Sequence, residues 1–419
     1  IQKSYNMKTF ILLLALLITA SLTNSRAQDI WTQKTNFGGI EREGAVGFSI
    51  DSKGYIGTGG RSNPFLTVYQ DFWQYDPVSD AWAQKTDFPG GPRREAVGFS
   101  IGNKGYLGTG WSNFSGIMED FWEYDPESNI WTQKADYGGG ERVSATGFSI
   151  GNKGYITTGY GDVFSFDFER DFWEYDPESD TWTQKNDFGG AGRYHAVSFS
   201  INNKGYVGTG EDWWWHLSDF WEYDPATDEW TQKSDAGGRQ HAVGFSINNK
   251  GYIVCGAFWD DFEVFSSMIE YDPVVNTWTS KADFAGGARI GATGFSIGNK
   301  GFIGTGALYI NYNYFYEYTN DFWEYSPTPC IPLTVYADAD ADGYGNLYDS
   351  YFSPDCMVPE GYVYDSTDCN DTDASVHALG NFYVDSDSDA YGAGTLLSIC
   401  YSGVGTPAGY SINSTDCDD

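Results

Sequence analysis

The sequence predicts an all-β protein: a six-bladed β-propeller whose last blade is closed by the N-terminal strand, followed by a loop-rich, acidic, Cys-containing tail. Three observations lead to this prediction. A motif of about fifty residues recurs six times, aromatic residues make up 18% of the chain, and 52 of the 419 residues are glycine. Short aromatic-rich strands joined by tight glycine turns are typical of all-β folds. The same composition excludes a helical bundle and a disordered chain.

Each repeat contains four strand-like pieces, here named a to d. Strand a, for example in residues 96–101 (AVGFSI), leads through Asn-Lys-Gly into strand b, and strand c lies in a block such as residues 120–126 (DFWEYDP). A period near fifty residues with four strands per unit indicates a propeller blade. Strand d carries a tryptophan that recurs at intervals of 48 to 51 residues: Trp31, Trp82, Trp131, Trp182, Trp230 and Trp278.

The ends of the repeat region predict how the ring closes. The first tryptophan segment has no strands before it, and the last three strands have no tryptophan segment after them. We therefore expect the segment at Trp31 to complete the sixth blade beside residues 321–325, because this pairing removes an exposed sheet edge. The propeller is expected to span residues 28–327 and to end at the Pro-rich stretch of residues 326–329.

These repeats resemble kelch repeats, as found in kelch proteins and in the central domain of galactose oxidase. The resemblance covers about 300 residues, with Gly-Thr-Gly where the family usually has a Gly-Gly doublet. The fifth copy departs further, because Ser267-Met268-Ile269 replaces Asp-Phe-Trp and Val254-Cys255-Gly256 replaces Gly-Thr-Gly. Since propellers serve many functions, the resemblance implies a fold rather than an activity.

Ligand contacts are expected on the face formed by the d–a and b–c loops, because the b–c loops vary while the other turns are nearly invariant. Aromatic rings in these loops either stack on sugars or bind protein, or pack locally over the blades. The aromatic candidates are Trp213, Trp214, Trp215, Trp259, Tyr312 and Tyr314.

The same face carries one arginine per blade, three residues before strand a. The ring is either a basic collar for a carboxylate or another anionic ligand, or a set of structural partners for acidic residues of the repeat such as Asp120. The six residues are Arg42, Arg93, Arg142, Arg193, Arg239 and Arg289.

Three of the four histidines are predicted on this face as well. His195 and His241 precede strand a in adjacent blades, and His216 lies in the b–c loop of the fourth blade. A metal tripod is one interpretation. The other is packing, since kelch repeats often carry histidine at this position.

The tail, residues 328–419, carries 15 Asp and one Glu from residue 331 onward but no Lys or Arg. Two stretches alternate aspartates in the spacing that wraps oxygen ligands around Ca²⁺, although Ala390 stands in the second where the first has Gly343. They resemble the acidic metal-binding repeats of secreted bacterial proteins and the calcium-binding type 3 repeats of thrombospondin. The alternative is a solvated acidic linker. The expected ligands are Asp338, Asp340 and Asp342 in the first stretch and Asp385, Asp387 and Asp389 in the second.

Cysteines follow both acidic stretches, and their register within each repeat predicts the disulfides Cys356–Cys369 and Cys400–Cys417, with Cys255 and Cys330 unpaired. Disulfides imply export. The chain stops inside the second repeat, so we expect further sequence after Asp419.

Residues 7–27 read as a signal peptide, with Met7-Lys8, an apolar run over residues 10–20 and Ser25-Arg26-Ala27 before the cleavage point. The run is too short to span a bilayer, and no second one exists. We therefore expect a secreted or cell-surface protein without a transmembrane segment. A net charge of −34 argues against a nucleic-acid partner.

The leading functional hypothesis is an exported, non-enzymatic binding or adhesion propeller that recognises an extracellular glycan or protein, with a Ca²⁺-binding stalk. One alternative is an enzyme on a kelch propeller acting on an anionic sugar, as in sialic acid epimerases. A second is a copper oxidase like galactose oxidase, which has a Tyr–Cys crosslink. Cys255 is the only cysteine of the repeats, and the full copper set has no match. A purely structural spacer is the remaining alternative.

Overall fold

A computed structural model describes residues 29–62, 65–161, 168–258, 263–311, 315–327, 333–341, 343–353, 361–363, 366–370, 372–386, 388, 390–402 and 404–414. The secondary-structure elements in this part of the chain are all β-strands. Contacts divide the chain into two units, Ile1–Thr328 and Pro329–Asp419. The expected signal peptide, residues 7–27, lies outside the described residues. No helix in the described part is long and apolar enough to cross a membrane.

The first unit contains six four-stranded antiparallel sheets, here numbered I to VI, in which the strands pair in the order a–b–c–d. Strands a and b are Val46–Ile50 and Lys53–Gly57 in sheet I, Val97–Ile101 and Lys104–Gly108 in II, Thr146–Ile150 and Lys153–Thr157 in III, Val197–Ile201 and Lys204–Gly208 in IV, Val243–Ile247 and Lys250–Val254 in V, and Thr293–Ile297 and Lys300–Gly304 in VI. Strands c and d are Phe72–Asp76 and Ala81–Gln84 in sheet I, Phe121–Asp125 and Ile130–Gln133 in II, Phe172–Asp176 and Thr181–Lys185 in III, Phe220–Asp224 and Glu229–Lys233 in IV, Met268–Asp272 and Thr277–Ser280 in V, and Phe322–Ser326 and Ile30–Lys34 in VI.

The N-terminal strand Ile30–Lys34 is therefore the outer strand of sheet VI, where it runs antiparallel to Phe322–Ser326. The a strands of neighbouring sheets lie against each other in the cyclic order I–II–III–IV–V–VI–I. Such four-stranded antiparallel sheets, packed side by side, are consistent with a propeller-like fold.

Four of the b–c loops contain a short hairpin of their own, which stiffens the loop next to the blade. The paired segments are Gly60–Arg61 with Thr67–Val68, Trp111–Ser112 with Gly116–Ile117, Ala257–Phe258 with Glu263–Val264, and Ala307–Asn311 with Phe315–Tyr318.

The core lies between adjacent sheets and is made largely of aromatic rings. In sheet I the rings of Tyr55 and Phe72 stack at 5.5 Å, and Tyr124 and Trp131 of sheet II each pack edge-on against Phe72 at 4.9 Å. The glycine at the start of strand b makes room for this packing, since a Cβ on Gly105 would lie 2.4 Å from the ring of Phe48. The repeated Phe, Tyr and Lys-Gly positions are thus inter-sheet contacts.

The repeated tryptophan of strand d links each sheet to the one before it. The indole Nε1 of Trp131 donates to the backbone oxygen of Thr86 at 3.0 Å, just after strand d of sheet I. Trp31 makes the equivalent bond to Ala282 at 3.2 Å, just after strand d of sheet V. The N-terminal strand therefore makes the same inter-sheet contact as the five others.

The second unit contains two small sheets. It therefore has more strand than the loop-rich tail that the sequence predicts. The strands of the two sheets are Leu333–Ala337, Ser350–Ser353 and Tyr362–Val363 in the first and Ala378–Val384, Ala393–Tyr401 and Tyr410–Ser411 in the second, and in each sheet the first strand is central. Both acidic stretches begin directly after a central strand. The N–H of Asp338 donates to Gly361 at 2.9 Å, and that of Asp385 donates to Gly409 at 3.0 Å, so the two copies share a local structure.

The expected disulfide pairing is corrected by the structure. Cys369 is bonded to Cys400, so the bridge joins the two acidic repeats rather than closing a loop within each. Cys400 lies in a strand of the second sheet, whereas Cys369 follows the last strand of the first sheet. Cys356, Cys417 and Cys330 lie outside the described residues. Cys255 is a buried free thiol.

Candidate functional site

The residue two positions after the repeated arginine lies at the end of the d–a loop in every sheet. Backbone hydrogen bonds connect these residues between sheets: the N–H of Glu95 donates to Gly44 at 2.9 Å, and that of Ser144 donates to Glu95 at 3.1 Å. The N–H of Gly44 donates to Gly291 at 2.9 Å and so links sheet I to sheet VI. The six residues all have left-handed φ angles between 52° and 60°: Gly44, Glu95, Ser144, His195, His241 and Gly291.

Three of these side chains, Glu95, His195 and His241, form a group that we call the His–Glu cluster. They come from sheets II, IV and V, and one ligand atom of each lies within 4.8 Å of the other two. Nε2 of His195 is 3.5 Å from Oε2 of Glu95, and the two imidazole rings are 3.3 Å apart between centroids. The hydroxyl of Ser144 donates to the same carboxylate oxygen of Glu95.

A second layer of polar side chains holds the imidazoles. Oε1 of Gln240, a fully buried residue, lies 2.8 Å from Nδ1 of His241 and 3.3 Å from Nδ1 of His195. Glu211 lies between His195 and His216, with oxygen–nitrogen distances of 3.9 Å and 3.6 Å. The third group beside the two central histidines is thus Glu95 and not His216, so the structure does not bring together the three histidines of the tripod interpretation.

Burial disfavours the charged forms in this cluster, but specific partners outweigh it for two of the groups. The hydrogen bond to His195 and its charge hold the pKa of Glu95 well below its usual range. Hydrogen bonds to Glu211 and Glu95 raise the pKa of His195 to about 9. Burial and the neighbouring charge of His195 lower the pKa of His241 well below 6.5. The cluster therefore holds one proton on His195 next to an ionised Glu95.

Two further charged side chains border the cluster. Arg94 lies 3.4 Å from Glu95 and 3.7 Å from Glu43, and its guanidinium sits 5.5 Å above the ring of Trp111. Burial raises the pKa of Glu43 to about 7. Arg94 thus lies next to two carboxyl groups, those of Glu43 and Glu95.

The structure does not support the interpretation of the arginine ring as an accessible binding surface. Five of its members are at most 2% exposed, and each makes a two-pronged ion pair with the aspartate before strand c of its own sheet. For Arg93, the two terminal nitrogens donate to the carboxylate oxygens of Asp120 at 2.6 and 2.9 Å. Because these guanidiniums are buried and paired, they brace the blade. The pairs are Arg42–Asp71, Arg93–Asp120, Arg142–Asp171, Arg193–Asp219 and Arg289–Asp321.

Arg239 of sheet V is the exception. Its side chain is 8% exposed, and Ser267 stands where the other sheets have aspartate. Nη1 of Arg239 donates to the backbone oxygens of Cys255 at 3.3 Å and of Ser267 at 3.4 Å, and no carboxylate of the described chain pairs with it. Burial lowers the pKa of this guanidinium. Burial also raises the pKa of the Cys255 thiol to about 12, so Cys255 gives no compensating negative charge.

The structure places the tryptophans of the fourth b–c loop at the surface. Trp213, Trp214 and Trp215 are 48%, 80% and 70% exposed. Oδ1 of Asp212 accepts the N–H groups of Trp214 at 2.8 Å and Trp215 at 2.7 Å, which fixes the turn that carries them. Phe65 and Phe114, in the b–c loops of sheets I and II, are each 79% exposed. Trp259, Tyr312 and Tyr314 lie outside the described residues.

In the second unit, Asp338, Asp340 and Asp385 are described, whereas Asp342, Asp387 and Asp389 lie outside the described residues. The first aspartate of each stretch accepts the N–H five residues later at 3.1 Å: Gly343 bonds to Asp338, and Ala390 bonds to Asp385. Each stretch thus closes into the same loop. One carboxylate oxygen of Asp385 and one of Asp368 are buried without a hydrogen-bond partner in the described chain.

Glu95 is not among the site residues predicted from the sequence. A signal was present, because the two positions between the arginine and the alanine of strand a vary among the copies, and the second of them reads Gly, Glu, Ser, His, His and Gly. A position that varies among the copies, at one end of the sheets, does not take part in the packing that keeps the aromatic positions of the repeat constant.

No family model and no curated protein matches the chain. Among solved structures, that of YjhT aligns with 68% of this chain and 99% of its own length, with a TM-score of 0.56 and 16% sequence identity. At this identity the similarity is one of fold, and it is consistent with a propeller-like arrangement of the six sheets.

Proposed function

We propose that this protein is an exported, non-enzymatic binding or adhesion module that recognises a carbohydrate or a protein through the face formed by its d–a and b–c loops. The observation that carries the proposal is the set of exposed aromatic rings on these loops. Three different sheets contribute one or more such rings. The rings offer apolar faces on which sugars stack and with which protein partners pack.

Rigidity supports this proposal. The exposed tryptophans sit on a turn fixed by Asp212, and the turn is joined to a four-stranded sheet on both sides. A surface that is already ordered loses little conformational entropy on binding. At the opposite end of the blades, the exposed apolar side chains of the c–d turns are aliphatic, such as Val78 and Val274. The aromatic character is therefore specific to one face.

We further propose that the six sheets are the blades of a closed, kelch-type propeller. The cyclic order of the a strands, the pairing of Ile30–Lys34 in sheet VI and the Gly44–Gly291 hydrogen bond support closure. A closed ring has no exposed sheet edge, and it would hold the d–a and b–c loops of all blades around one axis.

The second unit, in this proposal, is a Ca²⁺-binding stalk. Its support is the common loop after each central strand and the two buried, unpartnered carboxylate oxygens of Asp368 and Asp385, both 7% exposed. Burying a carboxylate oxygen without a partner is costly, and a hard cation removes that cost by coordinating it. The disulfide Cys369–Cys400 supports export, because such bonds persist in oxidising compartments.

One observation favours a second candidate, an enzyme that acts on an anionic sugar. Glu95 and His195 form a carboxylate–imidazole pair of the kind used in general acid–base catalysis, and Arg94 beside them is partly exposed. In this candidate Arg94, rather than the buried arginine ring, would hold the sugar carboxylate.

A glycan array and a panel of immobilised extracellular proteins, probed with the chain after signal-peptide removal, test the leading proposal. Binding without turnover supports it. The enzyme candidate is tested separately by following the anomers of sialic acid by NMR, where faster interconversion that is lost in Glu95→Gln would replace the binding proposal. Absence of both binding and turnover would leave the structural spacer.

A further inference from the structure

We propose that Glu95, His195 and His241 bind one late first-row divalent metal ion, for which Zn²⁺ is the probe, between sheets II, IV and V. The site is distinct from the carboxylate loops of the second unit, and it does not depend on the proposed binding function. Two imidazoles and one carboxylate are the ligand types that Zn²⁺ and its neighbours prefer over Ca²⁺.

The distance between Glu95 and His195 already suits a shared metal ion. In a tetrahedral zinc site with bonds of about 2.0–2.2 Å, neighbouring ligand atoms lie roughly 3.3 Å apart. Nε2 of His195 and Oε2 of Glu95 are 3.5 Å apart, and all three ligand atoms lie within 4.8 Å of one another. The two imidazoles are stacked, with centroids 3.3 Å apart, so the His241 ring must swing away from His195 before both Nε2 lone pairs can point at one ion.

Gln240 prepares both imidazoles for a metal. Its Oε1 can only accept, so a hydrogen bond to the Nδ1 atoms 2.8 and 3.3 Å away is made by the tautomer that carries its proton on Nδ1. A neutral imidazole with its proton on Nδ1 has its lone pair on Nε2. The Nε2 atoms of His195 and His241 are then the available ligands, and the hydrogen bond from the other ring nitrogen is the usual outer-shell support of metal-binding histidines.

The electrostatics of the surroundings favour a cation. Glu95 and Glu211 contribute two carboxylates beside His195, and Arg94 contributes one positive charge among the described neighbours. A divalent ion held by Glu95 and the two imidazoles would balance the remaining negative charge.

The position in the fold also leaves room for a fourth ligand. All three side chains are only partly buried, and they come from three sheets, so the ion would be reached from the face that carries the exposed aromatic loops. Three protein ligands with one open position are the arrangement of catalytic rather than structural zinc sites.

The test is a calorimetric titration of Zn²⁺ into the whole chain after signal-peptide removal, in excess Ca²⁺ so that the acidic loops are occupied. One Zn²⁺ per chain is expected. Glu95→Gln, His195→Gln and His241→Gln should each weaken this site by more than the roughly 10- to 100-fold that loss of an outer-shell partner costs, and Gln240→Leu should fall within that range.

His377→Gln is the matched control, because it removes an imidazole that stacks on Tyr344 in the second unit. His216→Gln is the nearer control, since His216 contacts Glu211 outside the cluster. Both should bind Zn²⁺ as the wild type does, and the visible spectrum of Co²⁺ should change only in the three cluster variants.

Circular dichroism identifies any variant that does not fold. The Zn²⁺ affinities of the cluster variants that do fold then test the proposal. The proposal is overturned if the wild type shows no Zn²⁺ site in excess Ca²⁺. It is equally overturned if folded cluster variants give the wild-type isotherm.

Discussion

Trp31 and Tyr325 face each other in one antiparallel strand pair, although they lie near opposite ends of the first unit. Their rings are 5.0 Å apart, and the indole also packs edge-on against Phe284 of sheet V at 4.8 Å. One side chain therefore connects the N-terminal strand to two sheets formed by the C-terminal part of the unit.

This contact leads to the first prediction. Trp31→Ala should lower the free energy of unfolding by about 3 kcal/mol, because a large aromatic contact and an indole hydrogen bond are lost. Ile30→Ala in the same strand, at a residue that is 56% exposed, should change it by less than about 0.5 kcal/mol. Urea unfolding followed by tryptophan fluorescence measures both, since all 16 tryptophans precede residue 328. An unchanged melting temperature after deletion of residues 28–36 would contradict closure by this strand.

The second prediction concerns the buried Arg239. Ser267→Asp should restore the ion pair that the other five sheets have and stabilise the first unit by about 1 kcal/mol. The reverse change, Asp120→Ser, should destabilise it by about 3 kcal/mol, because Arg93 is left buried and unpaired. Denaturant unfolding of the two variants provides the comparison. A loss of stability in Ser267→Asp would mean that the Arg239 guanidinium already has a partner of another kind.

Much of the fold could be predicted from the sequence, because its determinants repeat. The Phe, Tyr and Trp positions of each copy fill the same inter-sheet space, so periodicity alone indicates the strands, the four-stranded sheets and the partner of the N-terminal strand. The pairing of Arg with the aspartate before strand c was one of two interpretations, and only the structure shows which groups are buried.

Contacts between different copies could not be predicted in the same way. Glu95, His195 and His241 belong to three repeats, and their proximity depends on how the d–a loops converge. The predicted disulfide pairing is wrong for a related reason. Register within a repeat gives no information on a bond between repeats, such as the one that joins Cys369 to Cys400.

The third prediction is a pH dependence. The pKa of His195 is raised from 6.5 to about 9, so its contribution to stability is complete below pH 6.5 and is lost as the pH rises through about 9. Glu95 has the opposite sign and loses its contribution only as the pH falls below 4.5. In buffer free of transition metals, the wild type should therefore lose stability relative to His195→Gln as the pH rises from 6.5 to above 9.

Tryptophan fluorescence during urea unfolding at several pH values measures this difference, which should be of order 3 kcal/mol, since one pKa unit corresponds to about 1.4 kcal/mol. His377→Gln, in the second unit, controls for removal of an imidazole. Parallel stability curves for the wild type and His195→Gln across this range would show that the Glu95–His195 pair does not hold a proton in the folded chain.

The fourth prediction compares the two acidic loops. Ala390 has a φ of 74° where Gly343 has 90°, and an alanine pays roughly 1–2 kcal/mol for a left-handed backbone. Ala390→Gly should strengthen Ca²⁺ binding at the second loop by about tenfold, and Gly343→Ala should weaken the first by a similar factor.

Calorimetry of the whole chain with Ca²⁺ decides this, with Ala393→Gly at the start of the next strand as the control outside the loop. Asp340→Ala should remove the stronger site. No heat of binding at about 10⁻³ M Ca²⁺, the weak end for extracellular modules, would reduce the second unit to an acidic linker.

The central claim is that the aromatic loop face recognises a ligand, and the most direct measurement is the affinity of a loop variant for whichever glycan or protein the arrays identify. Replacing Trp213, Trp214 and Trp215 together by Ala should weaken binding by more than tenfold, about 1.4 kcal/mol, while the melting temperature stays unchanged because these rings are exposed. Replacing Val274 and Val275 by Ala, at the opposite end of the blades, should leave binding intact. Equal affinity of the tryptophan variant and the wild type would contradict the account and move recognition to another surface.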